Sequence, residues 1–216
     1  MSIVFELCED ARLLDQYYQL RETCYQRELG IPDFDGSEEY QDRRGKIVLA
    51  HHNGQCVGGA RISSYVPMRE ELDRLDLHPY RCCIWERFVV DPAARSLRMV
   101  RDFVDQMIQA SHNAGYHHAV MVSSMKNARL YRHCHSSLGV DFQIHHEVPG
   151  CAKGAFEGLE PYLSVSYLRS AQPARVAARP SPTPPPPLTW GNGGLGYRTA
   201  CTNVNVYGVE SPRRPH

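Results

Sequence analysis

The chain has 216 residues, 42% of them hydrophobic, which suffices for one sizeable buried core and argues for a single domain. Its 24 Lys+Arg balance its 24 Asp+Glu, so it lacks the basic excess that favours nucleic acid or an anionic membrane surface. No stretch approaches the roughly 18 apolar residues of a membrane span, and the start, Met1-Ser2-Ile3-Val4-Phe5-Glu6, has neither the basic nor the apolar region of an export signal. The neutral total conceals a split. From Ala171 onward there are five Arg and one Glu, a balance of +4 that leaves −4 on residues 1–170. The eight cysteines show no Cys-x-x-Cys spacing, and the adjacent Cys82 and Cys83 would point to opposite sides of a strand. Reduced thiols and a cytoplasmic location are therefore expected.

In chain order, Ile3 to Leu7 alternates weakly and reads as a first strand. Asp10 opens a helical pattern through Leu13, Leu14, Tyr17, Tyr18, Leu20 and Tyr25, which Gly30 and Pro32 end. Residues 32–45 form a long polar loop, and loops of that length in a domain usually carry function or stay disordered. Lys46 to His51 and Gln55 to Ser63 are two strands joined through Asn53-Gly54, a strong hairpin signal. A short helical piece at Met68–Leu75 precedes the apolar run from Cys82 to Val90.

That run stops at Asp91-Pro92 and re-emerges as a helix from Ser96 to about His112, a strand, turn and helix in succession. Free N–H groups and the positive end of the dipole at such a helix start attract anions, and Arg95 and Arg98 add charge at the same turn. A strand at His118–Ser123, a helix from Asn127 to Leu138 capped by Gly139, and strands at Val140–His146 and Tyr162–Leu168 complete the pattern. The order predicts an α/β (α+β) domain over residues 1–170 with a mixed sheet. Nine of the fifteen prolines lie beyond Ser170, so residues 171–216 are expected to form a disordered Pro/Gly-rich tail that buries too little to offset its ordering entropy.

Four local patterns occur in a characteristic order: Leu20-Arg21-Glu22-Thr23-Cys24-Tyr25 with Leu29-Gly30; the acidic residues Glu39 and Asp42 in a loop; Gly58-Gly59-Ala60-Arg61 on a hairpin strand; and Trp85-Glu86-Arg87-Phe88 on the central strand. Over roughly residues 5–169 the chain thereby resembles the GNAT N-acyltransferase superfamily, in particular the branch that makes acyl-homoserine lactones and its relatives that make long-chain N-acyl amino acids. The resemblance implies a GNAT-like, mostly antiparallel central sheet flanked by helices. It implies transfer of a fatty acyl group from acyl carrier protein or acyl-CoA, with no tightly bound cofactor, to a small-molecule amine such as S-adenosylmethionine or an amino acid.

Two features depart from the family pattern. Its central strand separates Glu and Arg by two residues, whereas Glu86 and Arg87 are adjacent and on a regular strand would face opposite sides. Its phosphate loop, Arg/Gln-x-x-Gly-x-Gly/Ala, stands here as Arg95-Ser96-Leu97-Arg98-Met99-Val100 without the small residues, which favours a carrier-protein donor over coenzyme A.

Transfer of an acyl group from a thioester to an amine needs a free amine, a polarised carbonyl and a proton for the leaving thiolate. Glu86, a carboxylate on an apolar strand, is the candidate general base, through water, and its bland alternative is an ion pair with Arg21 or Arg61. Arg21 and Arg61 would hold an acceptor carboxylate or order the acidic loop. Glu39 and Asp42 would bind the acceptor ammonium, against the default of a solvated charge run. Tyr25 and Phe34 would wall the pocket, although aromatics at these spacings are more often core. Arg87 joins this acceptor group and Arg95 and Arg98 the donor group. Tyr131 is the candidate acid for the thiolate, with His135 nearer the family's slot. The histidine doublets diverge on strands and give no ligand spacing for a metal.

Overall fold

In the computed structural model, which describes residues 2–64, 68–148 and 160–168, seven strands form one sheet in the order β1-β2-β3-β4-β5-β7-β6. The strands are β1 (Val4–Leu7), β2 (Lys46–His52), β3 (Gln55–Ser63), β4 (Cys82–Val90), β5 (His118–Ser124), β6 (Asp141–Glu147) and β7 (Pro161–Tyr167). The helices are α1 (Ala11–Glu28), α2 (Tyr40–Arg44), α3 (Arg69–Arg74), α4 (Leu97–Asn113) and α5 (Met125–Ser137). All pairings are antiparallel except β4 with β5. The expected tail, residues 171–216, lies outside the described residues. Among the described residues no helix is long and apolar enough to cross a membrane.

Local chemistry explains where the elements begin. The Asp10 carboxylate accepts from the Leu13 amide at 3.0 Å and starts α1, and the Ser96 hydroxyl accepts from Met99 at 3.1 Å and starts α4. Asn53 and Gly54 both hold positive φ, 51° and 73°, the conformation that a two-residue hairpin with the right strand twist requires. The polar loop before β2 is more structured than its composition suggests. It folds into α2, whose N-terminus carries a capping box between Glu39 and Asp42.

The sheet is covered on both sides. On one face α4 and α5 pack a core of Trp85, Val90, Met99, Phe103, Met107, Met121, Tyr131 and Phe142. Phe103 is fully buried and meets Phe5 and Phe88 edge to face at 5.6 and 4.9 Å. On the other face α1 buries Leu13, Tyr17, Cys24 and Tyr25 against Ile47, Leu49, Cys56 and Val89, while Met68 and Leu72 cover the far half of the sheet. Gly59 is required here, because a Cβ at that position would collide with the Tyr17 ring.

Two irregularities at β4 position everything that follows. Cys82–Ile84 pair with His118–Val120 of β5, after which the two strands part while β5 stays paired with β7 along its length. Opposite β3, Arg61 pairs with Glu86 but Gly59 pairs with Val89, so β4 carries one extra residue, a β-bulge. Arg87 sits in that bulge with φ of +57°, a left-handed conformation uncommon for a residue with a side chain.

Candidate active site

The bulge overturns the expectation that Glu86 and Arg87 diverge. Left-handed backbone at Arg87 breaks the period of two, so both side chains leave on the α1 face while Trp85 and Phe88 pack on the α4 and α5 face. The carbonyl of Arg87, turned by the bulge, accepts a hydrogen bond from the Tyr17 hydroxyl at 2.9 Å.

Around these two residues lies a buried cluster of three guanidinium and three carboxylate groups. Arg61 is its hub: Nε and Nη2 donate to Oε2 of Glu86 at 2.9 and 2.8 Å, and Nη1 donates to Asp42 at 2.9 Å and to Glu39 at 2.7 Å. Arg87 donates to both oxygens of Glu39, at 2.6 and 3.1 Å. Arg21 donates through Nη1 to both Asp42 oxygens, at 3.0 and 3.2 Å, and through Nε and Nη2 to the carbonyls of Gly36 and Ser37, tying the loop before α2 to α1. The six charges cancel, and each is held by direct partners.

Burial and pairing pull the titrations apart. Burial raises Glu86, and the neighbouring Arg61 and Arg87 offset this only in part, so its carboxylate is more basic than usual. Burial also opposes ionisation of Glu39, but Arg87 and Arg61 outweigh it and hold that group at about 2. Burial disfavours the charge on Arg61, yet Glu86, Asp42 and Glu39 raise its pKa well above the ordinary value.

A cleft partly open to solvent runs between α1 and α5 over the end of β4; none of the six cluster residues lines it, and Tyr25, whose ring centre is 5.9 Å from the Arg87 guanidinium, stands between cleft and cluster. Tyr25, Glu28 and Cys24 line one side, Phe88 to Val90 the floor, Leu130 and Tyr131 the other side, and Arg95 and Val100 one end. Thus Tyr25 and Tyr131 face the cleft, whereas Phe34 is buried behind Tyr25, ring centroids 4.2 Å apart, and under Arg87. His135, the other candidate on α5, is outside the cleft, packed between Trp85 and Phe142 with Nδ1 against the Tyr131 carbonyl at 2.7 Å. Arg95 and Arg98 do not act as a pair. Arg95 is bound to Glu28 and to the Val90 carbonyl, while the Arg98 side chain is 89% exposed and pairs with Asp102 at 3.7 Å. Tyr17, Glu28 and Cys24 belong to this region without any signal in the sequence. Tyr17 and Cys24 lie on the apolar stripe of α1, where nothing local distinguishes them from core.

The family model described as "Acetyltransferase (GNAT) family" matches residues 14–135. The chain belongs to the GNAT acetyltransferase family. No curated protein matches it significantly. Among solved structures this GNAT chain is similar to the acyl-homoserine lactone synthase LasI, at 15% identity and a TM-score of 0.55 over 77% of this chain and 88% of that one. It is also similar to BjaI, a CoA-dependent acyl-homoserine lactone synthase solved with SAM and isopentyl-CoA, at 15% identity and 0.55 over 74% and 78%. A ribosomal-protein-alanine N-acetyltransferase from Brucella melitensis matches at 14% and 0.55 over 75% and 98%. At these identities the likenesses establish the fold, and the family establishes transfer of an acetyl or acyl group.

Proposed function

We propose that the protein is an N-acyltransferase of the acyl-homoserine lactone synthase type, which moves a fatty acyl group from acyl carrier protein or acyl-CoA to the amine of S-adenosylmethionine or of an amino acid. The observation that supports this reading is the buried cluster of Arg21, Arg61, Arg87, Glu39, Asp42 and Glu86, which reaches through Arg87 to Tyr25 on the wall of a cleft over the end of β4. The solved synthases LasI and BjaI share the fold, and the latter was captured with SAM and an acyl-CoA.

In this reading the thioester lies along the split between β4 and β5, and the amine enters from the side of the cluster. The amine nitrogen attacks the thioester carbonyl, and the new C–N bond forms as the C–S bond breaks. The proton lost by nitrogen passes through water to Glu86, whose raised pKa makes it a stronger base than an ordinary carboxylate. The departing thiolate takes a proton from Tyr131, on the opposite wall. Arg61 keeps the Glu86 carboxylate aimed and limits how far its pKa rises. The remaining members of the cluster fix the loop that would close over the acceptor. Attack by the acceptor's own carboxylate oxygen on the carbon bonded to its sulfonium sulfur would then close the lactone of an acylated S-adenosylmethionine as that C–S bond breaks and methylthioadenosine leaves, whereas an acylated amino acid would be released as such.

The test is mass spectrometry of lipid extracts from cells that express the chain or its Glu86→Gln variant. A new long-chain acylated amine that disappears in the variant is the expected result. An acetylated amine instead would make this an acetyl-CoA acetyltransferase. If no acylated product forms with any donor pool, the transferase reading fails and a catalytically silent binding module takes its place.

A further inference from the structure

We propose that Glu28 selects among acyl donors by competing with donor phosphates for Arg95, an inference that rests on the acyl-transfer reading of the cleft. Glu28, the last residue of α1, and Arg95, in the turn before α4, are 67 residues apart and both line the cleft. Their side chains form a two-pronged pair, Nη1 to Oε2 and Nη2 to Oε1, each at 2.8 Å, and Nη2 also donates to the Val90 carbonyl at 2.7 Å. Both terminal nitrogens of the guanidinium are therefore engaged before any phosphate arrives.

The position of Glu28 strengthens the case. A carboxylate at the C-terminal end of a helix meets the negative end of the dipole, an arrangement that loses free energy unless a cation compensates. Arg95 is that cation. Phosphate arriving at this end of the cleft must either displace Glu28 from Arg95 or sit beside an uncompensated like charge. Arg98, the other cation of this turn, is exposed and meets an approaching anion from solvent, where it is screened. A donor that places several phosphates here, as coenzyme A does, is thus penalised relative to one whose thiol arm carries fewer charges. Replacing Glu28 by the isosteric amide removes the like charge and frees Arg95 without emptying the space.

The experiment is calorimetric titration of the full chain with CoA and with pantetheine, which has the same thiol arm and no phosphate. Glu28→Gln is expected to tighten CoA about three- to tenfold, a gain that shrinks at high salt, and to leave pantetheine within about twofold. Arg95→Gln should cost more CoA affinity in the Glu28→Gln background than in the native chain, because only there is Arg95 available. A role confined to holding α1 against the turn would shift both ligands alike and give no such background dependence, and either outcome overturns the proposal. Unchanged CoA affinity in Glu28→Gln, in a chain that binds CoA, also sinks selection by Glu28 while leaving the cleft reading intact. Failure of the native chain to bind either compound refutes the cleft reading and this inference with it.

Discussion

The two faces of β3 and β4 solve opposite problems with the same backbone. Toward α4 and α5 the strands present Trp85, Phe88, Val90, Ala60 and Ile62 to an apolar core, whose stabilisation is the removal of hydrocarbon from water. Toward α1 they present Arg61, Glu86 and Arg87, almost without solvent contact, and Arg21 and Asp42 join them. Charges taken out of water lose hydration that their mutual attraction repays only when geometry and hydrogen bonding are complete. Completeness is what the cluster has. An apolar face tolerates swaps of similar volume, but a buried ionic face fails when any one member is lost.

The largest expected effect therefore comes from the hub. Arg61→Met would strip Glu86 of the guanidinium that holds it and remove one partner each from Asp42 and Glu39. A loss of about 3–5 kcal/mol in urea denaturation is expected, as for other buried pairs broken on one side. A loss below about 1 kcal/mol would mean that water reaches the cluster and that the contrast between the faces is overdrawn.

Acid should separate the two faces by pH. On the apolar face, burial lowers His135 to about 4, against an opposing hydrogen bond to the Tyr131 carbonyl. Its folded pKa lies below the unfolded value of about 6.5, so this contribution is full above pH ~6.5 and is lost as pH falls toward 4. At most about 3 kcal/mol is at stake, and His135→Phe should flatten that part of the stability profile. On the ionic face Glu39 is held at about 2, below an unfolded value of about 4.3. Its contribution survives the first window and is lost only as pH falls from ~4.3 toward 2. Glu86 runs the other way: its raised pKa favours the fold below its ordinary value, and that contribution is lost as pH rises. A single acid transition that His135→Phe leaves unmoved would show that the faces do not titrate separately.

Much of this was legible in the chain. Periodicity and turn residues place β2, β3, β4, β5 and the long helices within a residue or two, because each obeys one period and ends at a cap, Asn-Gly or Asp-Pro. Arg21 was detectable as a charge on the stripe of Leu13, Tyr17 and Cys24, a position where a charge implies a buried partner. The short helix α2 was not, since its five residues are polar and its form depends on the capping box and on Arg21 reaching the carbonyls of Gly36 and Ser37. The bulge was hidden for a different reason. Arginine carries no sign of a left-handed conformation, and the register shift that requires it is a property of two strands together. Long-range pairs such as Glu28 with Arg95 leave no local pattern at all.

The smallest expected effect concerns a bond that keeps Arg87 on the ionic face, from the Tyr17 hydroxyl to the Arg87 carbonyl. Tyr17→Phe keeps the ring against Gly59 and deletes only the hydroxyl, leaving a buried carbonyl short of its partner, at a cost of about 1 kcal/mol. The informative readout is whether Glu86 and Arg87 still share a side. Without the bond, Arg87 loses one of the contacts that hold it at positive φ, and relaxation toward ordinary extended backbone would carry its guanidinium away from Glu39. A crystal structure of the variant with Arg87 still at positive φ would show that the two hydrogen bonds to Glu39 sustain the bulge alone. Loss of the positive φ would show that a tyrosine on α1 decides which face of the sheet receives a charge from β4.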